Sequence, residues 1–366
     1  MSRRATQQAV SASLIVSALM LSAGLSGCGK TETAASLMTE AQQYEAKGDN
    51  KAALIQLKNA AAKAPEDAEV RMRLADLYLK SGDAVSAEKE VRKASSLQVA
   101  SERTSPVLVK SLLRQGLGQK AIEESASMAG GLNADVHASR GDAFLSINEP
   151  AKARDAYERA LAVAPGQPDA LIGMARLAAI DKDLDGAAKL VDRAIAANPK
   201  NADVFMFKGT LLRAQNQPES AIAAFGQAIT LRPDLVQAYL ERANLYISAK
   251  KFDLAKNDVD AARKLAPGAL PPLYSQALLD FTQNNYTAAN DSIQKVLSKA
   301  PDHMPSVLLA GAIELNLNSF KLAEQHLSAY VNAFPDNAYA RKLLAQTQLR
   351  SAQPGSAGET LAPLLK

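Results

Sequence analysis

The 366-residue chain has no tryptophan, one cysteine and three histidines, and only 5% of its residues are aromatic. With Cys28 as the sole cysteine, an internal disulfide or a cysteine-ligated metal cluster is excluded. His137, His303 and His326 are too dispersed to suggest a metal site, and each reads as a helix-start or helix-surface residue. Runs of β-branched residues are scarce while alanine and leucine are abundant, which favours helices packed through small side chains over sheets. Disorder does not fit a chain that is 47% hydrophobic. Formal charge is +4, and the first 27 residues hold two arginines and no acid, so the rest carries +2. That near-neutral balance lacks the field of a nucleic-acid binder.

What is present begins with an ambiguity. The stretch "GLSGCGKT", Gly24 to Thr31, satisfies the G-x-x-x-x-G-K-[ST] pattern of a phosphate-cradling loop, and its Leu25-Ser26-Gly27-Cys28 also satisfies a lipobox. Upstream stand Arg3 and Arg4 and then the apolar stretch "VSASLIVSALMLSAGL", Val10 to Leu25. This is the layout of a secretory signal, and it falls short of the roughly 20 apolar residues that span a bilayer. Residues 1–27 are therefore read as a lipoprotein signal peptide, with cleavage before Cys28 and a covalent lipid on its sulfur. A nucleotide-binding loop needs a preceding strand and a parallel sheet, and no strand and helix alternation follows. The "ALLD" ending at Asp280 lies in a helix pattern and makes a poor Mg²⁺ partner, and cleavage would sever Gly24 from Gly29. Asp181, Asp183 and Asp185 cluster at a turn without the twelve-residue loop and distal glutamate of a Ca²⁺ site. No nucleophile stands with a base, so the chain reads as non-enzymatic.

A repeat organises the remainder. Pro165, Pro199, Pro233, Pro267, Pro301 and Pro335 are spaced by 34 residues. Ala53, Ala87, Ala121, Ala153, Ala187, Ala221, Ala255, Ala289, Ala323 and Ala357 keep the same step, apart from one interval of 32 after Ala121. In one repeat Gly141, Phe144, Ala153, Tyr157, Ala160 and Pro165 recur as small, aromatic, Ala, aromatic, Ala, Pro, and Gly209, Leu212, Ala221, Phe225, Ala228 and Pro233 repeat the series. On these residues the chain resembles the tetratricopeptide-repeat family over essentially its whole mature length. The resemblance implies an all-α superhelical solenoid of about ten helix pairs, with repeats starting near residues 34, 68, 102, 134, 168, 202, 236, 270, 304 and 338. Residues 28–35 would be an acylated tether and 34–366 the array. Small residues such as Gly141, Ala175, Gly209 and Gly311 are expected to let the two helices of a repeat approach, with Tyr157, Phe225 and Val259 filling the space between repeats. Proline ends each second helix, and Asp67, Asn201, Asp234, Asp302 and Asp336 are expected to cap the next first helix. The third repeat lacks its proline, two residues and a large side chain at Ser125, and the tenth has a short second helix.

In the family, the second, fifth, ninth and twelfth positions of the first helix face a concave groove. Carried over, these are Asp203, Met206, Thr210, Arg213, Gln237, Leu240, Asn244 and Ile247, then Pro271, Tyr274, Leu278, Phe281, Pro305, Leu308, Ala312 and Leu315. The groove turns apolar toward the carboxyl end, which suits a partner's helix or extended segment. The residues expected to carry partner binding are Arg213, Asn244, Tyr274, Leu278, Phe281, Leu308 and Leu315. Asn244 occupies one position of a carboxylate clamp, but its Lys and Arg companions are missing from neighbouring repeats, so it is read as an ordinary groove residue.

A tether of roughly seven residues after Cys28 reaches at most about 25 Å and keeps the first repeat near a membrane, where several acyl chains hold firmly. Gly29 stands where Asp would signal inner-membrane retention, so the outer membrane, periplasmic face, is expected. The run from "SGCGK" through "SLMTEAQQYEAKGDNKAALIQLKNAAAKAPEDAEVRMRLADLYLKSGDAVSAEKEVRKA" resembles the tetratricopeptide lipoprotein of the PEP-CTERM and exosortase system. That resemblance implies a scaffold for exopolysaccharide assembly or export, or for protein sorting. Its expected partners are proteins of an envelope machine and the membrane itself, with no nucleic acid, small-molecule substrate or cofactor beyond the lipid. A pilotin- or barrel-assembly-type outer-membrane lipoprotein is the alternative, and a phosphate-loop hydrolase the remote one.

Overall fold

The computed structural model describes residues 32–126 and 133–365. The signal peptide, Cys28 and the phosphate-loop pattern lie outside the described residues. Among the described residues there are twenty α-helices, a closing 3-10 turn and no strand. The chain divides into two compact subdomains, Met1–Ala100 and Ser101–Lys366, so the division falls where the irregular third repeat begins.

The first subdomain contains α1 (Ala34–Ala46), α2 (Asn50–Lys63), α3 (Ala68–Lys80) and α4 (Ala84–Ser96). The second runs through α5 (Ser101–Arg114), α6 (Gly118–Ala126), α7 (Ala134–Ser146), α8 (Pro150–Val163), α9 (Pro168–Ile180) and α10 (Leu184–Ala197). It continues with α11 (Ala202–Ala214), α12 (Pro218–Leu231), α13 (Val236–Ser248), α14 (Phe252–Leu265) and α15 (Leu270–Thr282). It closes with α16 (Tyr286–Leu297), α17 (Met304–Asn316), α18 (Phe320–Ala333), α19 (Ala338–Arg350) and α20 (Pro354–Leu361). Odd-numbered helices open a repeat and even-numbered ones close it. The first helix starts at Ala34, with Thr33 as its cap.

One turn geometry recurs within all ten repeats. The residue after the cap of each first helix has positive φ: Gly48, Gly82, Gly116, Asn148, Lys182, Asn216, Lys250, Asn284, Asn318 and Ala352. The next residue's N–H reaches back to close the last helical turn, as Asp49 N–H does to the Tyr44 carbonyl at 2.9 Å and Lys251 N–H to the Tyr246 carbonyl at 2.8 Å. This satisfies carbonyls that a helix end leaves open. Glycine adopts the conformation at no steric cost, while asparagine tolerates it and lysine or alanine does so with strain. In six repeats the following helix then opens on an aspartate cap, at Asp49, Asp83 and Asp183, or on a proline, at Pro150, Pro218 and Pro354.

Between repeats the capping expectation needs correction. Each proline is followed by helix three residues later, so only the residue two past the proline can cap. Asp67, Gln167 and Asn201 stand there and accept backbone N–H bonds at 2.9, 2.5 and 2.9 Å. Asp234, Asp302 and Asp336 stand one residue too early. The caps are Leu235 and His303, whose side chains accept no backbone N–H, and Asn337, which accepts from Ala340 N–H at 2.9 Å.

The core follows one size rule. The ten periodic alanines of the second helices are fully buried, only Ala357 reaching 2% exposure. Four residues on, the second helix presents Leu57, Val91, Ser125, Tyr157, Val191, Phe225, Val259, Ile293 or Leu327, all at most 1% exposed. The corresponding first-helix residues are Ala41, Ala75, Val109, Gly141, Ala175, Gly209, Ala243, Ala277 and Gly311. Where the second helix is bulky the first is small, and where it shrinks to Ser125 the first grows to Val109. A Cβ on Gly209 would lie 2.5 Å from Phe225 Cε1, and one on Gly311 2.6 Å from Leu327 Cγ. Tyr157 lies against both Gly141 of its own repeat and Gly173 of the next.

This pairing yields a direct test by urea denaturation. Gly209→Ala should destabilise by about 1–3 kcal/mol through overpacking, and Phe225→Val by about 2 kcal/mol through the cavity it leaves. Combined, they restore the Ala–Val pair of the second, fifth and seventh repeats, so the double variant should cost clearly less than the sum. Simple additivity would show that the two positions do not share one volume.

Candidate partner-binding groove

In the second subdomain most successive first helices pack on one another, whereas no pair of successive second helices packs to that extent. The row of first helices is thus the tighter, inner side of the stack. Only α11 and α13 are set less closely within that row.

Toward the amino end the row is polar and already paired. Lys110 on α5 donates to Asp169 on α9 at 2.7 Å. Burial works against the Lys110 ammonium, but the Asp169 carboxylate outweighs it and raises its pKa. Asp142 on α7 accepts from the Tyr157 hydroxyl at 2.8 Å and lies 3.7 Å from Arg176. Burial nevertheless holds the Asp142 carboxyl above the usual carboxylate range, and burial together with Asp142 pushes the Tyr157 phenol far up. Arg213 is exposed and lies 3.4 Å from Glu241, which also accepts from Gln237 at 2.9 Å. The Oδ1 atom of Asn244 is buried without a hydrogen-bond partner among the described residues. Arg213 and Asn244 are thus brought to the same α11–α13 seam, with Arg213 engaged by a carboxylate of the chain itself.

Toward the carboxyl end the row is apolar. Tyr274, Leu278 and Phe281 on α15 are half-buried against a core that includes Ala277, Ile293 and Ile313. Leu308 on α17 is half-buried against the next core, with Leu327 and Leu344. The Tyr274 ring meets His303 edge-on at 5.8 Å, and burial raises its phenol pKa. Leu315 departs from expectation: it is 2% exposed and belongs to the core that α19 completes through Ala340 and Leu344. Leu240, Ile247 and Ala312 are buried as well. The cause is the close stacking of first helices, which seals the side of each helix that faces its neighbour. Two accessible apolar residues on α19 complete the surface, Tyr339 and Leu349, each 56% exposed. They occupy the second and twelfth positions of their helix, so extending the position rule to the tenth repeat would have found them.

His326 also departs from the surface reading. Its Nδ1 is joined to the carboxylate of Glu314, itself 2% exposed, by a 2.7 Å hydrogen bond, and Gln294 Nε2 donates to the same carboxylate at 3.4 Å. The three residues tie α16, α17 and α18 together beneath the apolar surface. Among the described residues no cluster of three or more His, Cys, Asp or Glu side chains is placed to hold a metal. Asp183 caps α10 and Asp181 pairs with Arg154 at 2.9 Å. No helix among the described residues is long and apolar enough to cross a membrane.

Two family profiles, both described as tetratricopeptide repeat, match the chain, one over residues 139–202 and 208–269 and the other over 44–103 and 280–347. Among solved structures, PilW, described as a widely conserved type IV pilus biogenesis factor, aligns with a TM-score of 0.52 at 19% identity. The alignment covers 58% of this chain and 98% of that one. PilF of Pseudomonas aeruginosa aligns with a TM-score of 0.52 at 18% identity, covering 62% of this chain and 99% of its own. At such identity the likeness is one of fold. No curated protein sequence matches the chain.

The pair of His326 and the buried Glu314 is expected to make the stability beneath the groove pH-dependent. The hydrogen bond to Glu314 raises the His326 pKa above its ordinary 6.5, against the opposing effect of burial. A folded-state pKa above the unfolded one adds stability that is complete below about pH 6 and is lost as pH rises through the folded value. Wild type should therefore lose more stability than His326→Gln between about pH 5.5 and pH 8.5 in urea titrations. Equal losses would show that the pair contributes no pH-linked stability.

Proposed function

Because the chain belongs to the tetratricopeptide-repeat family, a fold that serves as a scaffold for protein–protein interaction, we propose that it holds one partner segment against the apolar groove surface of its last three repeats. The observation that carries this reading is the accessible row of Tyr274, Leu278, Phe281 and Leu308, continued by Tyr339 and Leu349. Apolar side chains grouped on the inner side of a helical stack suit a partner's amphipathic helix or extended segment, whose burial supplies the binding energy. Arg213 and Asn244 lie beyond this row and contribute orientation rather than affinity in our reading.

We further propose that the scaffold is a lipoprotein of the bacterial cell envelope, acylated on Cys28 and facing the periplasm from the outer membrane. The lipobox and the preceding charged and apolar segments support it. The resemblance of the amino-terminal stretch supports a place in exopolysaccharide assembly or export, or in PEP-CTERM protein sorting. A second reading, a pilotin- or pilus-assembly-type lipoprotein, is supported by the likeness to PilW and PilF. Those proteins are matched nearly end to end, yet more than a third of this chain lies beyond the alignments.

Two measurements test these readings. Labelled palmitate should enter wild type but not Cys28→Ala, and an unlabelled wild type would end the lipoprotein reading. Photo-crosslinking from Leu308 in intact envelopes should capture a defined partner that Tyr274→Glu plus Leu278→Glu loses and Arg213→Ala keeps, with all variants equally helical by circular dichroism. An unchanged capture would remove the case for the groove, and the captured protein's identity separates an export component from a pilus-assembly one.

A further inference from the structure

The second helix of the first repeat, α2, differs in charge from every other closing helix among the described residues. Its sequence, "NKAALIQLKNAAAK", carries Lys51, Lys58 and Lys63 and no acid, whereas each of the other nine contains at least one Asp or Glu. Some cations of the neighbouring repeat are paired within the fold: Lys80 with Glu45 at 3.2 Å and Lys93 with Glu66 at 3.0 Å. The three α2 lysines form no ion pair among the described residues and all three are exposed, Lys58 lying over the Tyr78 ring at 5.5 Å. The buried face of the helix is built from Ala53, Leu57, Ala60 and Ala61. Directly opposite, at spacings of four, three and four residues, Lys51, Ile55, Lys58 and Ala62 form one exposed stripe, since 3.6 residues per turn brings them to one side. Ile55 is 59% exposed between the two lysines.

An apolar side chain set among unneutralised lysines on one helical face matches the boundary between acyl chains and anionic headgroups. Connectivity favours that occupant. The helical array begins at Thr33 and Ala34, so five peptide links separate Cys28 from the first cap, a reach of at most about 18 Å. Helix α1 leads away from that point and α2 packs back along it, which returns Ala62, the carboxyl end of the stripe, toward the anchored end. We propose that this stripe of α2 lies on a membrane surface and binds anionic phospholipid headgroups, so that the array is oriented as well as tethered. This rests on the reading that Cys28 is acylated. The lipid chains hold the protein at the bilayer, and the lysines select which side of the first repeat faces it. Each lysine near an anionic surface strengthens the contact on the order of fivefold at low salt, an effect that falls off within about 10 Å in 0.1 M salt.

The test uses the acylated full chain, purified from membranes and reconstituted into vesicles of phosphatidylethanolamine alone or mixed with phosphatidylglycerol. With Cys28 capped by lipid, Ile55→Cys supplies one reactive thiol for an environment-sensitive fluorophore. Nitroxide-headgroup lipid should quench that label at least about threefold more on phosphatidylglycerol vesicles. The difference should vanish in high salt and in Lys51→Glu/Lys58→Glu/Lys63→Glu, whose helicity should equal that of wild type. A label on Ser220→Cys, exposed on α12, should report no difference. Equal quenching on both vesicles, with acylation verified by mass, overturns the lysine contact and leaves the anchor standing. Shielding of the Ile55 label in native envelopes but not on vesicles overturns it in favour of an acidic protein partner. Absence of a lipid mass on Cys28 overturns both.

Discussion

The contact on which everything else depends is the one between the eighth residue of each first helix, the ninth in the third repeat, and the eighth of its second. The two helices of a repeat approach only as closely as these side chains allow, and the pairs conserve volume rather than identity. Glycine faces tyrosine, phenylalanine or leucine, alanine faces valine, isoleucine or leucine, and the irregular third repeat reverses the order with Val109 and Ser125. Because protein interiors pack at crystal-like density, a sum held constant keeps interhelical spacing constant. Constant spacing lets successive repeats within a subdomain stack on one another, and stacking builds the inner surface of the second subdomain.

That same stacking limits the groove. A first helix must serve its own repeat, its neighbour and the inner surface at once. Leu240, Ile247, Ala312 and Leu315 are claimed by packing, leaving Tyr274, Leu278, Phe281 and Leu308 half-buried and Tyr339 and Leu349 open. The surface is therefore anchored by side chains whose inner halves are fixed in the core, so their outer halves are presented with little freedom left to lose. Below it, Glu314, His326 and Gln294 cross-link three helices through one buried carboxylate.

Much of the architecture was legible from the spacing of prolines and alanines, because periodic burial is a one-dimensional signal and each repeat contacts only its neighbours. Helix starts fall within a residue of the periodic positions, from Ala34 to Ala338. What escaped depends on three-dimensional detail. A one-residue offset decides that Asn337 caps α19 and Asp336 does not. The burial of Leu315 depends on α19, a neighbour 34 residues later. The His326 to Glu314 bond joins residues 12 apart on different helices, a spacing without a pattern. The Val109 and Ser125 exchange looks like a loss at one position until the opposing helix is placed beside it.

The polar stretch of the inner row carries a consequence for discrimination between partners. Lys110 with Asp169, Arg176 with Asp142 and Arg213 with Glu241 give several charges of this part of the row an opposite charge from the chain itself. An incoming charged side chain would have to shed its own hydration and displace an existing counter-ion, exchanging one pair for another at no gain. Under the proposed function, such a lining gives a charged segment little to gain by binding there. Recognition under the proposed function then rests on shape and apolar area at the other end of the row.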